Sequence, residues 1–397
     1  MKEKLRILSA VGVYHALTDG SICVMSILFP IFKSMFNLTY TQVGIITGGG
    51  LLITLIAQLL IGRTADGKNF NTLLLTGVFL TSISLLLLTR SQGFITLILF
   101  IFILRFSTSF FHPVGIGWIS RTYKKDRLDW AMGIQSGSAD LGSFLAIATT
   151  LYIAESTHWT FPLYIWAIVG IIGLLIAILL TQNIDRKYII VKKETKKQDL
   201  KETAREAFSL MKKIKLLLPA FMISGAAWGV VVTYLPLLLN ERTTLSLPII
   251  GLLVAVWIGI GSISSLSYGG ISSHISRKKI ILFSYLTIGI MGLLLAYFTN
   301  IIIIIVILVL MGISIFLTYP ALFSFVSEVT DESVESWTFG ITFTFQTGGG
   351  TIILFLGGVL SDLFGIWMPF AIMGMLSLMM TGLLLAYRKK PIVASMQ

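Results

Sequence analysis

The chain has 397 residues, of which 55% are hydrophobic and only 12% are charged, whereas about 25% of the residues in soluble globular proteins are charged. Its net charge is +12, and the basic residues lie mainly in polar segments between long apolar runs. This composition excludes a water-soluble globular protein. The distribution of the charge excludes nucleic acid as the explanation of the basic excess.

Apolar runs long enough to cross a bilayer, about 20 residues each, recur along the whole chain. They predict twelve spanning helices, at roughly 7–32, 41–62, 71–89, 94–119, 130–153, 161–181, 216–239, 247–270, 279–298, 301–327, 337–359 and 367–387. The predicted fold is therefore an all-α membrane protein with twelve transmembrane helices in two pseudo-symmetric six-helix bundles.

The positions of the basic residues predict the orientation of these helices. If the N-terminus is cytoplasmic, 26 of the 30 lysines and arginines lie in cytoplasmic segments or at their edges. This asymmetry follows the positive-inside rule and predicts a multi-pass protein of the plasma (inner) membrane with both termini in the cytoplasm. The first apolar run is too long for a signal peptide and shows no clear cleavage site, so we expect it to be retained.

The longest polar interruption divides the chain into residues 1–182, a linker 183–214, and residues 215–397. Apolar side chains recur on one helical face of the linker and lysines on the other, which predicts an amphipathic helix on the inner leaflet, with partner docking as the alternative. The halves also repeat each other: Pro113 and Pro320 are 207 residues apart, and Pro30 and Pro236 are 206 apart. Such repeats are typical of secondary transporters.

Five ionisable residues fall well inside predicted spans, all in the first half, and such residues commonly mark proton or substrate paths. His15 and Asp19 are four residues apart and share a helical face. A carboxylate beside an imidazole suits a proton-coupling site; a neutral pair that only fixes helix packing is the alternative. Arg105 is the expected counter-ion of Asp19, of Asp140 or of an anionic substrate, or else a structural ion-pair partner.

Further polar and aromatic residues are candidates for the wall of a substrate cavity. His112 precedes Pro113, which predicts a bend in the fourth span; the imidazole then reaches the cavity or binds a carbonyl that the bend frees. Asp140 and Gln135 lie in a glycine-rich stretch and either contact substrate or join helices, with Gly133, Gly137 and Gly142 allowing close helix approach. The cavity candidates are His112, Asp140, Gln135, Trp228, Tyr234, Tyr319 and Gln346, with helix packing as the alternative for the aromatic ones.

The segment "GRTADGKN" (62–69) matches the first seven positions of a P-loop, but Asn69 replaces the metal-binding Ser or Thr and no strand precedes it. We therefore predict no nucleotide binding and no cofactor other than a proton gradient. The sequence shows no credible catalytic set and no metal-ligand cluster, so we expect a protein that is not an enzyme. Its expected partners are a small-molecule substrate and the lipid bilayer, not nucleic acid, and the expected state is a monomer.

"GRTADGKNF" after the second span resembles the inter-helix loop motif of the major facilitator superfamily. Its second-half copy is "GISSHISRKK", and "GGVLSDLFG" resembles the end of that superfamily's eleventh span. The resemblance implies a conformational latch in which Asp66 faces the positive end of a helix of the other half. The residues assigned to this latch are Gly62, Asp66, Lys68, Gly270 and Arg277.

Three stretches are similar to the fosmidomycin-resistance branch of drug exporters: "YHALTDGSICVMSILFPIFKSMFNLTYTQVG", "FFHPVGIGWISR" and "IQSGSADLG". This resemblance implies a proton-coupled exporter, although the Gly-Pro pair usual in the fifth span of antiporters is missing. The first hypothesis is therefore export of small amphipathic compounds by alternating access, with Asp19, His15 and Arg105 as the proton-coupling residues. The alternatives are a proton symporter importing a sugar, organic acid or other small metabolite, and a non-transporting membrane receptor or scaffold.

Overall fold

The computed structural model describes residues 2–65, 67–123, 125–185, 190, 208–209, 211–212, 214–329 and 335–386. Twelve helices of this part of the chain are long and apolar enough to cross a membrane. We number them α1 (Lys2–Ile27), α2 (Tyr40–Ala65), α3 (Phe70–Leu88), α4 (Phe94–Thr122), α5 (Lys125–Ser156), α6 (Phe161–Thr181), α7 (Leu217–Arg242), α8 (Leu247–Leu266), α9 (Arg277–Tyr297), α10 (Ile301–Val329), α11 (Glu335–Phe364) and α12 (Met368–Ala386).

The twelve predicted spans are confirmed, and most boundaries agree within a few residues. Two spans end earlier than the apolar runs suggested, since α1 and α8 are each followed by a separate short helix, at Phe29–Met35 and Tyr268–Ser272. The predicted amphipathic helix of the linker falls almost entirely outside the described residues. The division at 183–214 therefore stays a prediction.

Helix α4 is interrupted where the sequence places a proline. An α-helix runs from Phe94 to Thr108, a π-helical segment covers His112–Ile116, and an α-helix resumes at Gly117. Proline at 113 has no backbone N–H and its ring clashes with the preceding turn, so the regular ladder cannot continue through it. The predicted irregularity at His112-Pro113 is present.

The helices differ in their position relative to the lipid. Helices α1 and α7 are the most buried of the twelve, so they line the centre of the molecule. Helix α6 instead exposes a row of large aliphatic side chains, among them Ile172, Leu175 and Leu179. Such a row is stable only against hydrocarbon, which places α6 at the periphery.

We call the end of the bundle at which α1 begins and α12 ends the proximal end, and the opposite end the distal end. The halves touch along α2 and α11 in the distal part, from Gly44, whose added Cβ would lie 2.8 Å from the Leu354 carbonyl oxygen, to Gly350 beside Leu51. Helices α5 and α8 touch likewise where Gly251 meets the carbonyl of Ile147. The distal end is therefore closed.

Toward the proximal end, several glycines of α5 and α11 have no neighbour among the described residues. A Cβ added at Gly133 or Gly137 of α5, or at Gly340 or Gly348 of α11, would meet no described atom within 4 Å. The prediction that Gly133 and Gly137 mediate close helix contact is wrong for the described part of the chain, because none of its helices packs on them. Gly142 does have that role: its Cβ would lie 2.2 Å from the carbonyl oxygen of Ala16 in α1.

Candidate functional site: a polar cluster at the centre of the helix bundle

The central feature is the pair His15 and Asp19 on α1. His15 Nε2 lies 3.4 Å from Asp19 Oδ2, so the predicted shared face brings the two groups into contact. The His15 side chain is buried, whereas 29% of the Asp19 side chain is exposed although α1 is a central helix. The space that reaches Asp19 therefore lies inside the protein, between the halves.

A main-chain carbonyl of α5 fixes the proton arrangement on His15. Its Nδ1 lies 3.0 Å from the carbonyl oxygen of Gln135. A carbonyl oxygen only accepts hydrogen bonds, so Nδ1 carries a hydrogen and donates it. Nε2 therefore carries a hydrogen only when the imidazole is cationic, and that hydrogen faces Asp19. A second proton bound by this residue sits between the two side chains.

The π-helical segment of α4 contributes the second histidine. The His15 ring stacks on Phe111 with centroids 3.9 Å apart, and the His112 ring meets the His15 ring edge-on at 5.4 Å. His112 Nδ1 is buried without a hydrogen-bond partner among the described residues. The sequence left open a carbonyl-bonded or a cavity-facing His112. Nδ1 makes no carbonyl bond in the described part of the chain, and the half-buried ring lies 6.2 Å from Phe343 of α11, in the other half.

His15, Asp19 and His112 are also the residues that come nearest to a metal-ligand set in the described part of the chain. One donor atom from each lies within 4.8 Å of the others. Ligands of a tetrahedral zinc, bound at about 2.0–2.1 Å, lie about 3.4 Å from one another. The His15–Asp19 distance of 3.4 Å is compatible with that spacing. Because His15 Nδ1 lies at the Gln135 carbonyl, Nε2 is the ring nitrogen left to bind either a proton or a metal ion.

Arg105 of α4 is buried, with 5% of its surface exposed, and its side chain packs against Gly50 of α2. Of the ion pairs closer than 4.0 Å in the described ranges, none includes Arg105, and its Nε has no hydrogen-bond partner there. The expected direct ion pair with Asp19 or Asp140 is therefore not formed in this conformation. A guanidinium is always charged, so it remains a positive field at the centre of the bundle.

Asp140 and Gln135 both come from α5 but differ in surroundings. Asp140 is half-buried and its carboxylate lies near the Ser262 hydroxyl of α8, across the interface between the halves. Gln135 is buried; its side-chain amide donates to Ser136 Oγ at 2.8 Å, and its Oε1 has no partner among the described groups. Asp140 therefore lies at the interface, and Gln135 positions His15 through its backbone.

The second half presents hydroxyl, amide and aromatic groups. Tyr319 of α10 donates its hydroxyl to the Ser224 carbonyl of α7 at 3.3 Å, and Gln346 of α11 keeps a buried Oε1 without a partner in the described chain. Trp228 is half-buried. Tyr234 is fully buried and donates to the Leu354 carbonyl at 2.5 Å. It does not face the cavity here, so the packing alternative describes it.

A chain of aromatic rings links the two halves and was missed from the sequence. The His112 ring lies 6.2 Å from Phe343 of α11, which stacks on Phe323 of α10 at 5.6 Å; Phe323 in turn lies 5.2 Å from Phe221 of α7. Phe343 is exposed and lies three residues from Gln346, on the same helical face. The spacing of three residues between Phe343 and Gln346 is the feature of the sequence that could have identified Phe343.

The latch assigned from the loop motif is only partly described. Asp66 lies outside the described residues. Gly62 packs toward Pro113, with an added Cβ 3.3 Å away from that ring, and Lys68 is exposed. Gly270 meets no atom within 4 Å, and Arg277 begins α9. The latch therefore stays a prediction.

Comparison with known proteins gives relatives and structural neighbours that are membrane transporters. The chain is 29% identical over 109 residues to the uncharacterized MFS-type transporter YfnC of Bacillus subtilis, covering 28% of this chain and 27% of that protein. It is 24% identical over 180 residues to the riboflavin transporter RibZ of Clostridioides difficile, covering 45% and 39%. The chain thus spans well under half the length of these relatives.

Solved structures match over nearly the whole chain. The nucleoside transporter NupG superposes with a TM-score of 0.76 at 16% identity, covering 98% of this chain and 100% of that one. A bacterial homologue of the lysosomal transporter Spinster, inward-facing and unoccupied, gives 0.74 at 14% identity, covering 97% and 95%. At these identities the likeness shows the shared fold.

The family follows from a direct match of sequence. The pattern of the Major Facilitator Superfamily matches residues 16–353, which is most of the chain, and the twelve-helix fold agrees with it. This chain is a member of the Major Facilitator Superfamily, with twelve described helices long and apolar enough to span a membrane.

Proposed function

We propose that this transporter exports small amphipathic compounds across the cell membrane in exchange for protons, with His15 and Asp19 as the proton site. The observation that carries the proposal is the contact of His15 Nε2 with Asp19 Oδ2, 3.4 Å apart on a central helix. Ionisable pairs at this depth are costly unless they face a cavity or one another, and these do both.

The hydrogen bond from His15 to the Gln135 carbonyl supports this proton site, because it leaves Nε2, beside Asp19, to take up a proton. With the proton bound, the pair is either an imidazolium beside a carboxylate or an imidazole beside a carboxylic acid, and its net charge is zero. Without the proton its net charge is −1, and the negative charge lies on Asp19. Proton binding and release therefore change the charge of the cavity wall by one unit.

Arg105 places a fixed positive charge near this pair, and its guanidinium makes no ion pair at less than 4.0 Å among the described groups. A cationic amphipathic compound near Asp19 adds a second positive charge, which opposes the binding of a proton there. Substrate and proton then compete for Asp19, which is the condition for exchange.

The second half supplies surfaces for the rest of such a compound. Phe343 and Phe323 offer ring faces, and the half-buried Gln346 adds an amide group to this surface. Apolar walls with a few placed polar groups are typical of small-molecule sites. His112 belongs to this wall through its ring contact with Phe343, and Asp140 is a secondary acidic group near Ser262.

Alternating access requires that the cavity open to each side in turn. The distal end is closed, and the proximal glycines of α5 and α11 have no described atom within 4 Å, so the described residues leave the proximal end open. With the predicted orientation, that end is cytoplasmic, and this conformation is the one in which an exporter loads its substrate. The resemblance of the first span, of Phe111-His112-Pro113 and of the fifth span to the fosmidomycin-resistance branch supports export.

A proton symporter that imports a metabolite is the second candidate. RibZ, with which the chain shares 24% identity over 180 residues, is a riboflavin transporter. Riboflavin has a planar ring system, and the half-buried Trp228 and the ring of Tyr319 are groups on which such a ring can stack. In this case proton and substrate bind together and move in the same direction.

Proteoliposomes containing the purified protein and a trapped pH-sensitive dye distinguish the two candidates. Ethidium serves as the amphipathic cation and riboflavin as the planar metabolite, with Asp19→Asn and protein-free vesicles as controls. With an acidic lumen, exchange predicts that ethidium enters and the lumen becomes more alkaline. With an alkaline lumen, symport predicts that riboflavin enters and the lumen acidifies.

Ethidium-dependent alkalinisation that disappears in Asp19→Asn supports the proposed exchange. Riboflavin-dependent acidification without any ethidium response overturns export and supports the second candidate. Transport that ignores the pH gradient, and that Asp19→Asn carries out normally, overturns the proton site in both.

A further inference from the structure

Helix α2 begins at the distal end with an internal capping arrangement. The Thr39 backbone N–H donates to Gln42 Oε1 at 2.9 Å, and the Gln42 backbone N–H donates to Thr39 Oγ1 at 3.1 Å. This is a reciprocal capping box. The first N–H groups of a helix have no partner within the helix, and the box satisfies two of them.

The remaining two N–H groups bond to the other half of the molecule. The backbone N–H of Tyr40 donates to Asp362 Oδ1 at 2.8 Å, and that of Thr41 donates to Asp362 Oδ2 at 2.7 Å. Asp362 lies near the end of α11, 322 residues from Tyr40. Both carboxylate oxygens are used, and a negative charge is favourable at a helix N-terminus.

Other contacts hold α2 and α11 together at the same place. A Cβ added at Gly358, one turn before Asp362, would lie 2.3 Å from the Tyr40 carbonyl oxygen, so the two backbones touch. The Tyr40 hydroxyl donates to the carboxylate of Glu241 at the end of α7. The Lys33 ammonium lies over the Tyr40 ring, 4.3 Å from its centroid.

The repeat places a similar pair of helix ends, α8 and α5, on the opposite side, but the cap is missing there. Residues 207 positions apart correspond in the repeat, so Pro248 corresponds to Thr41 and Glu155 corresponds to Asp362. Proline has no backbone N–H to donate. The cap of α8 at Ser246 forms no side-chain hydrogen bond, and Glu155 is exposed. Of these two pairs of helix ends, only α2 and α11 therefore carry the arrangement.

We propose that Asp362 is a conformation-dependent cap of α2 that stabilises the distal-closed state and is released when the halves separate at that end. In the closed state the carboxylate takes two N–H bonds from the other half. In the distal-open state those N–H groups and the carboxylate form hydrogen bonds with water instead. The cap thus biases the ratio of the two access states without touching the central cavity, and at the end opposite to the latch assigned to Asp66.

Distances between spin labels in lipid nanodiscs test this proposal directly. One pair joins Gln92→Cys and Thr299→Cys, in distal connections of the two halves; the other joins Thr64→Cys and Ser273→Cys, near the proximal end. Both pairs are placed in a Cys23→Ser background, because Cys23 is the native cysteine. The substitutions are Asp362→Ala and Asp362→Glu, with Glu155→Ala as the matched control at the repeat position.

We expect Asp362→Ala to raise the ratio of distal-open to distal-closed molecules by about tenfold, because two charge-assisted hydrogen bonds of the closed state are lost. The distal distance lengthens while the proximal distance shortens. Asp362→Glu restores part of the closed population, and Glu155→Ala matches the parent. Gln42→Ala, which breaks the cap only within α2, leaves the ratio unchanged.

Unchanged distances in Asp362→Ala overturn the proposal, as does a Glu155→Ala or Gln42→Ala protein that shifts as much as Asp362→Ala. If Asp362→Ala does not yield folded protein, Asp362→Asn is measured instead. It keeps one acceptor oxygen and loses the charge, so a smaller shift in the same direction is expected. A folded Asp362→Asn protein with the parent's distances contradicts the proposed cap.

Discussion

The two six-helix halves pack alike at their centres but carry different chemistry there. Gly142 of α5 meets the backbone of Ala16 in α1, with an added Cβ 2.2 Å from the carbonyl oxygen. The counterparts, Gly349 of α11 and Met222 of α7, meet in the same way at 2.4 Å. The offsets of 207 and 206 residues are those of the sequence repeat, so the close crossing of these helices is duplicated.

Charge is not duplicated. At the offset of 206, Gly225 stands for Asp19, and a Cβ there would lie 2.0 Å from the Gln346 carbonyl oxygen, which leaves no room for a carboxylate. Gly312 stands for Arg105 and packs against the Trp257 carbonyl, with an added Cβ 2.8 Å away. Where the first half places ionisable groups, the second half brings helices together. The cost of burying charge is thus incurred in one half, and we propose that the other half fits the substrate.

The largest expected effect comes from removing the proton site of the first half. Asp19→Asn keeps the shape but cannot bind the exchanged proton, so we expect proton-coupled transport to fall by roughly a hundredfold or more. Counterflow of substrate without a proton gradient continues. Proteoliposome uptake with and without the gradient measures both quantities; a variant that retains coupled transport contradicts the division between the halves.

Substitution of Arg105 tests the positive field beside the proton site. We expect Arg105→Ala to lower coupled transport by about tenfold, because the fixed positive charge near the proposed proton site is lost. Arg105→Lys keeps the charge and restores part of the activity. Counterflow of substrate without a proton gradient continues in Arg105→Ala at the parent's rate. Loss of counterflow as well would show that Arg105 acts on substrate instead.

Valine substitutions at the duplicated crossings measure how similar the two halves are in packing. Gly142→Val and Gly349→Val are each expected to destabilise the fold by about 1–3 kcal/mol, because a side chain there overlaps backbone atoms. Gly137→Val and Gly348→Val are matched controls on the same helices, at positions with nothing within 4 Å. Thermal unfolding, monitored by tryptophan fluorescence, ranks the stabilities of the four variants. Losses of stability at the control positions that equal those at Gly142 and Gly349 would contradict the described packing.

The smallest effect is expected from the substrate side of the second half. Tyr319→Phe removes a hydroxyl whose bond to the Ser224 carbonyl is 3.3 Å long. We expect an increase of about fivefold in KM, the usual cost of one hydrogen bond, with the proton-to-substrate ratio unchanged. A changed ratio, measured by simultaneous dye and substrate uptake, would move proton coupling into the second half.

Hydropathy and the repeat predicted the architecture because both depend on local composition. The twelve runs, the break at Pro113 and the contact of His15 with Asp19 follow from spacing within single helices. The α6 span, predicted at 161–181, is found at Phe161–Thr181.

Features that depend on two distant segments were not predicted. The tautomer of His15 is fixed by the main chain of Gln135, and the caps of Tyr40 and Thr41 come from Asp362 in the other half. The spacing of Thr39 and Gln42 could have predicted their capping box. The neighbouring sequence does not indicate which carboxylate accepts from the two remaining N–H groups, those of Tyr40 and Thr41. The expected ion pair of Arg105 is not formed. Spacing along a helix predicts how deep a residue lies in the membrane but not the direction of its side chain, so the sequence could not exclude that pair.

The central claim, that substrate and proton compete for Asp19, is tested most directly by proton release on ligand addition. The purified protein in weakly buffered detergent solution is mixed with ethidium, and the pH change is recorded for the parent, Asp19→Asn and Asp140→Asn. We expect proton release by the parent and by Asp140→Asn, and none by Asp19→Asn. Equal release by Asp19→Asn, or ethidium transport by a parent protein that releases no proton, would contradict it.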